Sequence, residues 1–157
     1  MRWNGLGVAR GGSGVGYPVG VTEELCATDA YVRSCEATVE QVTDGGVVLD
    51  RTVFYARSGG QPGDTGVLRW DGGETRVVDT VKEAGSPLHQ VEGVPLPVGA
   101  AVTAEIDWGR RHTLMRTHTA LHTLSAVVFR DYHAKVTGGN MEPGVARMDF
   151  ELETIDA

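Results

Sequence analysis

Alternation of apolar and polar residues is the dominant pattern over the first two thirds of the chain. Between Cys35 and Val42, Ala37 and Val39 are set against Glu36, Thr38 and Glu40, the period of a half-buried strand. Asp44-Gly45-Gly46 then predicts a turn, with a short second strand over Val47–Leu49 and a third over Val67–Trp70. Asp71-Gly72-Gly73 is a second hairpin signal leading into a strand over Thr75–Val81. After a loop broken by Pro95 and Pro97, alternation returns at Val102, Ala104 and Ile106. Short strands at this spacing predict a small antiparallel barrel.

The period changes at Trp108. Leu114, His118, Leu121, Ser125, Val128 and Tyr132 recur three or four apart and mark one face of a helix about six turns long. Gly138-Gly139 is expected to end a short extended piece. Ala146, Met148, Phe150 and Leu152 then alternate with Arg147, Asp149 and Glu151 as a last strand with one buried side. The expected fold class is α+β: a small antiparallel barrel over 21–107, followed over 108–157 by the first part of a second unit whose long helix has little to pack against. Residues 1–20 hold seven glycines and no apolar period, which predicts disorder or a start codon placed too early, since patterned sequence begins near Val21.

Composition narrows the setting. No run approaches the roughly 20 apolar residues of a membrane span. Two cysteines, Cys26 and Cys35, are too few for a disulfide framework, and a reducing cytoplasm is the expected location. The net charge of −7 opposes binding of a polyanion by the chain as a whole. Yet Trp108–Arg130 contains four arginines (Arg110, Arg111, Arg116, Arg130) and no acid. Such a local excess is either a solvated helix face or a surface for RNA phosphates.

Three stretches could carry chemistry. His118 and His122 stand four apart, so both rings share one helical face and can hold one metal ion. Thr119 follows the first histidine, so the His-Glu-x-x-His pattern of zinc proteases is absent. In helices generally such a pair is more often structural than metal-binding. A catalytic zinc takes three protein ligands, and a third would have to come from His89, His112, His133, the cysteines or the acids. The second stretch, Arg57-Ser-Gly-Gly-Gln61-Pro-Gly-Asp64-Thr-Gly66, reads either as a wide hairpin loop or as a bare backbone that can approach a sugar-phosphate, with Gln61 and Asp64 projecting. The third is Thr137-Gly138-Gly139, where a threonine is ordinarily a strand or turn residue.

In order and spacing, these pieces resemble the AlaX-type trans-editing proteins, free-standing relatives of the alanyl-tRNA synthetase editing domain. The resemblance runs from about Glu24 to Leu152. It rests on Arg51-Thr-Val-Phe-Tyr-Ala-Arg-Ser-Gly-Gly-Gln-Pro-Gly-Asp-Thr-Gly66, on Met115-Arg-Thr-His-Thr-Ala-Leu-His-Thr-Leu-Ser125, and on Val136-Thr-Gly-Gly-Asn140 with Ala146-Arg-Met-Asp-Phe150. It implies a translation-factor-like barrel followed by an α+β editing domain, incomplete in this chain. The implied activity is hydrolysis of the ester joining a wrong amino acid, serine or glycine, to the acceptor end of tRNA(Ala), with neither DNA nor membrane as partner. It also implies zinc, with His118 and His122 as its first two ligands. The family's other two lie in a Cys-x-x-x-His motif beyond Ala157, so the chain is expected to be truncated. Thr137 matches the threonine whose hydroxyl meets a serine side chain, and Gln61 would support the site from the barrel. Gly59, Gly60, Asp64 and Arg116 are the expected substrate contacts. The competing expectation is a noncatalytic tRNA-binding remnant.

Overall fold

The computed structural model describes residues 21–151, so the expectation for residues 1–20 lies outside the described residues. The elements, in chain order, are β1 (Glu23–Glu24), a 3-10 turn (Leu25–Ala27), β2 (Ser34–Thr43), β3 (Gly46–Leu49), β4 (Arg51–Thr52), β5 (Gly66–Trp70), β6 (Gly73–Glu83), β7 (Ser86–Gly93), β8 (Ala101–Ile106), α1 (Trp108–Tyr132), β9 (Lys135–Glu142) and β10 (Val145–Glu151). Six strands close a barrel in the order β2-β3-β7-β6-β5-β8, with every neighbouring pair antiparallel. The class is α+β. Inward positions of the alternating strands form the core: Ala37, Val39, Val47, Leu49, Leu68, Val77, Val102, Ala104 and Ile106, joined by Val53 and Phe54 from the chain after β4. Burying a side chain of this size stabilises by roughly 1.5–3 kcal/mol relative to leaving it in water.

One barrel strand, β7, was not predicted. Its Leu88 and His89 are both buried although adjacent, so its pattern does not alternate. The β6–β7 turn is Ala84-Gly85, both at positive φ (48° and 88°), a geometry that sequence usually announces with Asn-Gly. His89 sits inside the barrel wall with 0% exposure. Its Nδ1 donates to the Val47 carbonyl (3.0 Å) and its Nε2 accepts from the Thr52 hydroxyl (2.8 Å), while Phe54 meets the ring edge-on. Burial pushes its pKa from 6.5 down to about 4, so the ring is neutral.

The helix is joined to the barrel at its start. Asp107 caps it by accepting from the Arg110 amide, and the Asp107 amide donates to the Thr65 carbonyl (2.7 Å). Arg111 and Leu114 are its only buried residues. Its second half carries exposed apolar groups, among them Leu124, Phe129 and Tyr132. The chain leaves through His133 in the left-handed region and returns as the β9–β10 hairpin along α1, whose turn is tied down by the Gly144 amide donating to the Thr117 hydroxyl (3.1 Å). Strand β9 runs straight through Gly138-Gly139 instead of ending there. The close approach of β10 explains this: a Cβ on Gly139 would lie 2.8 Å from the Arg147 carbonyl.

Candidate active site

The glycine-rich segment 57–66 is a rigid ledge on the rim of the barrel. Ser58 and Gln61 close a tight turn by exchanging backbone hydrogen bonds, and the two residues between them, Gly59 (φ 57°) and Gly60 (φ 80°), occupy the left-handed region that side chains disfavour. The Arg57 amide donates to the Thr80 carbonyl, and the Thr80 hydroxyl returns a bond to the Asp64 carbonyl. Gly63 is pressed so closely on β6 that a Cβ there would come 2.0 Å from the Thr80 carbonyl oxygen. From the other side the Met141 amide of β9 donates to the Gly60 carbonyl (3.3 Å).

Gln61 is buried (7% exposed) and points from this ledge to the helix. Its Oε1 accepts from Nδ1 of His118 at 2.8 Å, although 57 residues separate the two in sequence. That bond fixes the tautomer: with the proton on Nδ1, the Nε2 lone pair of His118 faces outward. Nε2 of His122 lies 2.9 Å from it, and the two rings stack at 4.8 Å with 11° between their planes. Two imidazole nitrogens bound to one tetrahedral zinc at 2.0–2.1 Å stand about 3.3 Å apart. The pair is therefore within a few tenths of an ångström of that spacing, and its donor set, two imidazole nitrogens with an amide oxygen behind one ring, suits zinc. Among the described residues no group of three or more potential metal ligands occurs.

The pair lies in a cleft of about 160 Å³ lined by Gly59, Gly60, His118, Leu121, His122, Val136, Gly138, Gly139, Asn140, Met141, Arg147 and Met148. Barrel ledge, helix and β9–β10 hairpin thus each supply one wall. Thr137 is not among the residues that line this cleft, although its neighbours Val136 and Gly138 are; it is exposed and bulges out of the β9–β10 register between the Val136–Phe150 and Gly138–Asp149 pairs. Bulges re-aim a side chain, and this one interrupts the alternation at the cleft wall.

Asp64 is elsewhere. It is 1% exposed, and its Oδ2 accepts from the Tyr55 amide (2.7 Å) and from Nε (2.8 Å) and Nη2 of Arg111. A carboxylate so enclosed holds the ledge to the helix and has no face to offer a substrate; the expectation of a projecting Asp64 is corrected on that ground. Arg111 is corrected with it. At 3% exposure it donates to Asp64 and to the Val53 and Ala30 carbonyls, so it is no part of a phosphate-binding face. Arg110 donates to the Gly63 carbonyl (2.7 Å), and Arg130 pairs with Asp131. Arg116 is exposed. Sequence could have singled out Arg111, which stands three residues before Leu114 and seven before His118, on the helix face that meets the barrel.

With the geometry in place, likeness to known proteins decides the lineage. The family profile described as tRNA synthetases class II (A) matches residues 21–110. The chain is 44% identical over 143 residues to the alanyl-tRNA editing protein AlaX-M of Methanosarcina barkeri, covering 87% of this chain and 59% of that protein. The chain belongs to the AlaX and alanyl-tRNA synthetase editing family. Over 136 residues it is also 44% identical to the alanine-tRNA ligase of Pyrobaculum neutrophilum and 52% identical to that of Pyrobaculum arsenaticum, in each case covering 86% of this chain and 15% of the ligase. This member of the AlaX family therefore spans under two thirds of each of these relatives. Among its described residues no helix is long and apolar enough to cross a membrane.

Proposed function

We propose that this chain acts on misacylated tRNA(Ala), hydrolysing the ester between the terminal adenosine and a wrongly attached serine or glycine. The observation that carries the reading is the convergence of the His118 and His122 Nε2 atoms in a cleft walled by the Gly59-Gly60 ledge and β9. The AlaX-M relatives are named as alanyl-tRNA editing proteins, which supports tRNA(Ala) as the partner.

His118 and His122 would hold zinc through Nε2, with Gln61 orienting the first ring and Leu121 lining the cleft between them. Bound there, zinc supplies Lewis acidity toward the ester carbonyl, the substrate's amino group or the attacking water. The other steps fall to the chain itself. Gly59 and Gly60 leave their backbone bare, so a ribose can come close. Thr137, at the cleft margin, would offer its hydroxyl to a serine side chain, a contact that alanine cannot make. A partner for a substrate hydroxyl discriminates far better than a pocket that senses one methylene, which is worth only about 1–3 kcal/mol. Water adds across the ester to give the free amino acid and the free tRNA hydroxyl. The cytoplasm, where tRNA is charged, is the expected place.

Among the described residues His118 and His122 have no third ligand beside them, and a catalytic zinc takes three, which favours as second reading a module that binds tRNA(Ala) without cleaving its ester. One experiment separates the two: deacylation of Ser-tRNA(Ala) and Ala-tRNA(Ala) by zinc-supplemented protein, with tRNA binding measured in parallel. Hydrolysis of Ser-tRNA(Ala) that disappears in His118→Ala while binding persists is the expected result. Binding without hydrolysis would select the second reading, and absence of both would refute each.

A further inference from the structure

A second surface on α1 has the composition of a nucleotide platform. The Arg33 guanidinium lies 4.4 Å from the centroid of the Trp108 ring, His112 stacks on that ring at 5.4 Å with 21° between planes, and Tyr31 leans on it at 5.6 Å. Tyr31 is 62% exposed, and its backbone is tied down on both sides. Its amide donates to Asp29 Oδ1 (2.8 Å), and the preceding carbonyl, that of Ala30, accepts from buried Arg111 (3.2 Å). Between Tyr31 and the helix runs a groove of about 370 Å³ lined by His112, Met115, Arg116 and Thr119, among others.

Two cations without a carboxylate partner stand at this aromatic cluster, whereas Arg76, likewise unpaired among the described residues, lines a different groove beside Glu105 and Asp107. Arg51, Arg57, Arg69, Arg130 and Arg147 each pair with a carboxylate. Arg33 and Arg116 have no carboxylate partner among the described residues, in a chain of net charge −7. The acid nearest in sequence to Tyr31, Asp29, is engaged with the Tyr31 amide, and helix residues 108–130 carry none. An exposed aromatic ring beside guanidinium groups that lack carboxylate partners is a means by which proteins hold unpaired bases and their phosphates. The groove also has a direction. Thr119 on its wall is next to His118, and at about 100° per residue the groove lies roughly 100–120° round α1 from the histidine pair, an arc of roughly 10–12 Å over the helix surface.

We infer that the Tyr31–His112–Arg116 groove binds the unpaired 3′ nucleotides of tRNA that precede the aminoacylated adenosine, with a base stacked on Tyr31 and a phosphate held by Arg116, while Arg33, over the neighbouring Trp108 ring, adds positive charge. The inference rests on the tRNA reading above and adds to it a site for the strand itself.

The test uses 5′-labelled tRNA(Ala) transcript and fluorescence anisotropy over a salt series, with the full chain and its variants Tyr31→Ala, Tyr31→Phe and Arg116→Ala. Tyr31→Ala should weaken binding about tenfold, the loss of one stacked base, while Tyr31→Phe stays within about twofold. Arg116→Ala should lower the salt slope by about one. Trimming the unpaired 3′ nucleotides from the tRNA should abolish the difference between the parent and Tyr31→Ala. Equal binding by the parent and Tyr31→Ala, or a Tyr31→Ala defect that survives trimming, would overturn the inference and leave the deacylase reading standing. A parent chain that fails to bind tRNA would overturn both. His118→Ala keeps tRNA affinity if the groove acts as described, so loss of the groove and loss of hydrolysis are read on separate axes.

Discussion

Replacing Asp64 by Asn tests whether the buried pair with Arg111 is what fixes the glycine ledge to the helix. The side chains are 1% and 3% exposed, and Asp64 Oδ2 collects the Tyr55 amide and two Arg111 donors. Asn keeps the shape and an acceptor oxygen but withdraws the charge, leaving the Arg111 guanidinium uncompensated out of water. Breaking one side of such a pair costs about 3–5 kcal/mol. A domain of this kind has about 5–15 kcal/mol in all, so the loss is from about a fifth of its stability upward. With a urea m-value near 2 kcal/mol/M, the unfolding midpoint of Asp64→Asn should fall by about 2 M. Arg111→Met should fall similarly, and Asp64→Asn with Arg111→Met should be less destabilised than the two losses added, because neither then leaves a lone charge. Midpoints within about 0.3 M of the parent for both single variants would refute the reasoning. So would an Arg111→Met chain of parental stability with weakened tRNA binding, which would return Arg111 to the phosphate-binding face.

His89 predicts an acid-sensitive barrel: its pKa is about 4 folded against 6.5 ordinarily, so the unfolded chain takes up a proton first as pH falls, and stability present above pH 6.5 drops by about 3 kcal/mol by pH 4. Thermal melts across that range should show the fall, and His89→Gln should flatten this part of it. Gly63→Ala, whose Cβ would meet Thr80 O at 2.0 Å, should cost more than 2 kcal/mol on the order of an overpacked core, whereas Gly59→Ala, strained only by its φ of 57° in open space, should cost about 1 kcal/mol. Urea titration ranks them, and the reverse order would refute the packing argument. On the zinc reading proposed above, Gln61→Leu should weaken zinc affinity by about 10- to 100-fold in a competition titration with a chromophoric chelator, since His118 then loses the oxygen that sets its tautomer; unchanged affinity would make that bond incidental.

Local pattern made five of the barrel strands legible. β2 and β8 alternate clearly, short apolar β3 and β5 are each marked by an adjoining Asp-Gly-Gly turn, and these strands with β6 fall within a residue or two of their expected places. β7 was hidden because consecutive buried residues and an Ala-Gly turn give no period to detect. The extent of β9 was hidden because glycine ordinarily interrupts a strand, and only the approach of β10 explains why it does not here. The histidine pair was legible because four residues make one helical turn. What stands behind His118 was not: the Gln61 contact spans 57 residues and exists only once the barrel closes. Charge counting treated the arginines of α1 alike, although Arg111 is sealed against Asp64 and Arg116 faces water.

Closing six strands on themselves has a colloidal consequence. A closed barrel presents no row of unpaired amides and carbonyls to another chain, so its strands are protected from templated stacking even at high concentration. Among the described residues the β9–β10 hairpin has no such protection: it is a two-stranded ribbon with Val136 42% and Val145 69% exposed. Self-association on storage or heating should begin at this ribbon, and a lysine at Val145 should delay it without altering the barrel.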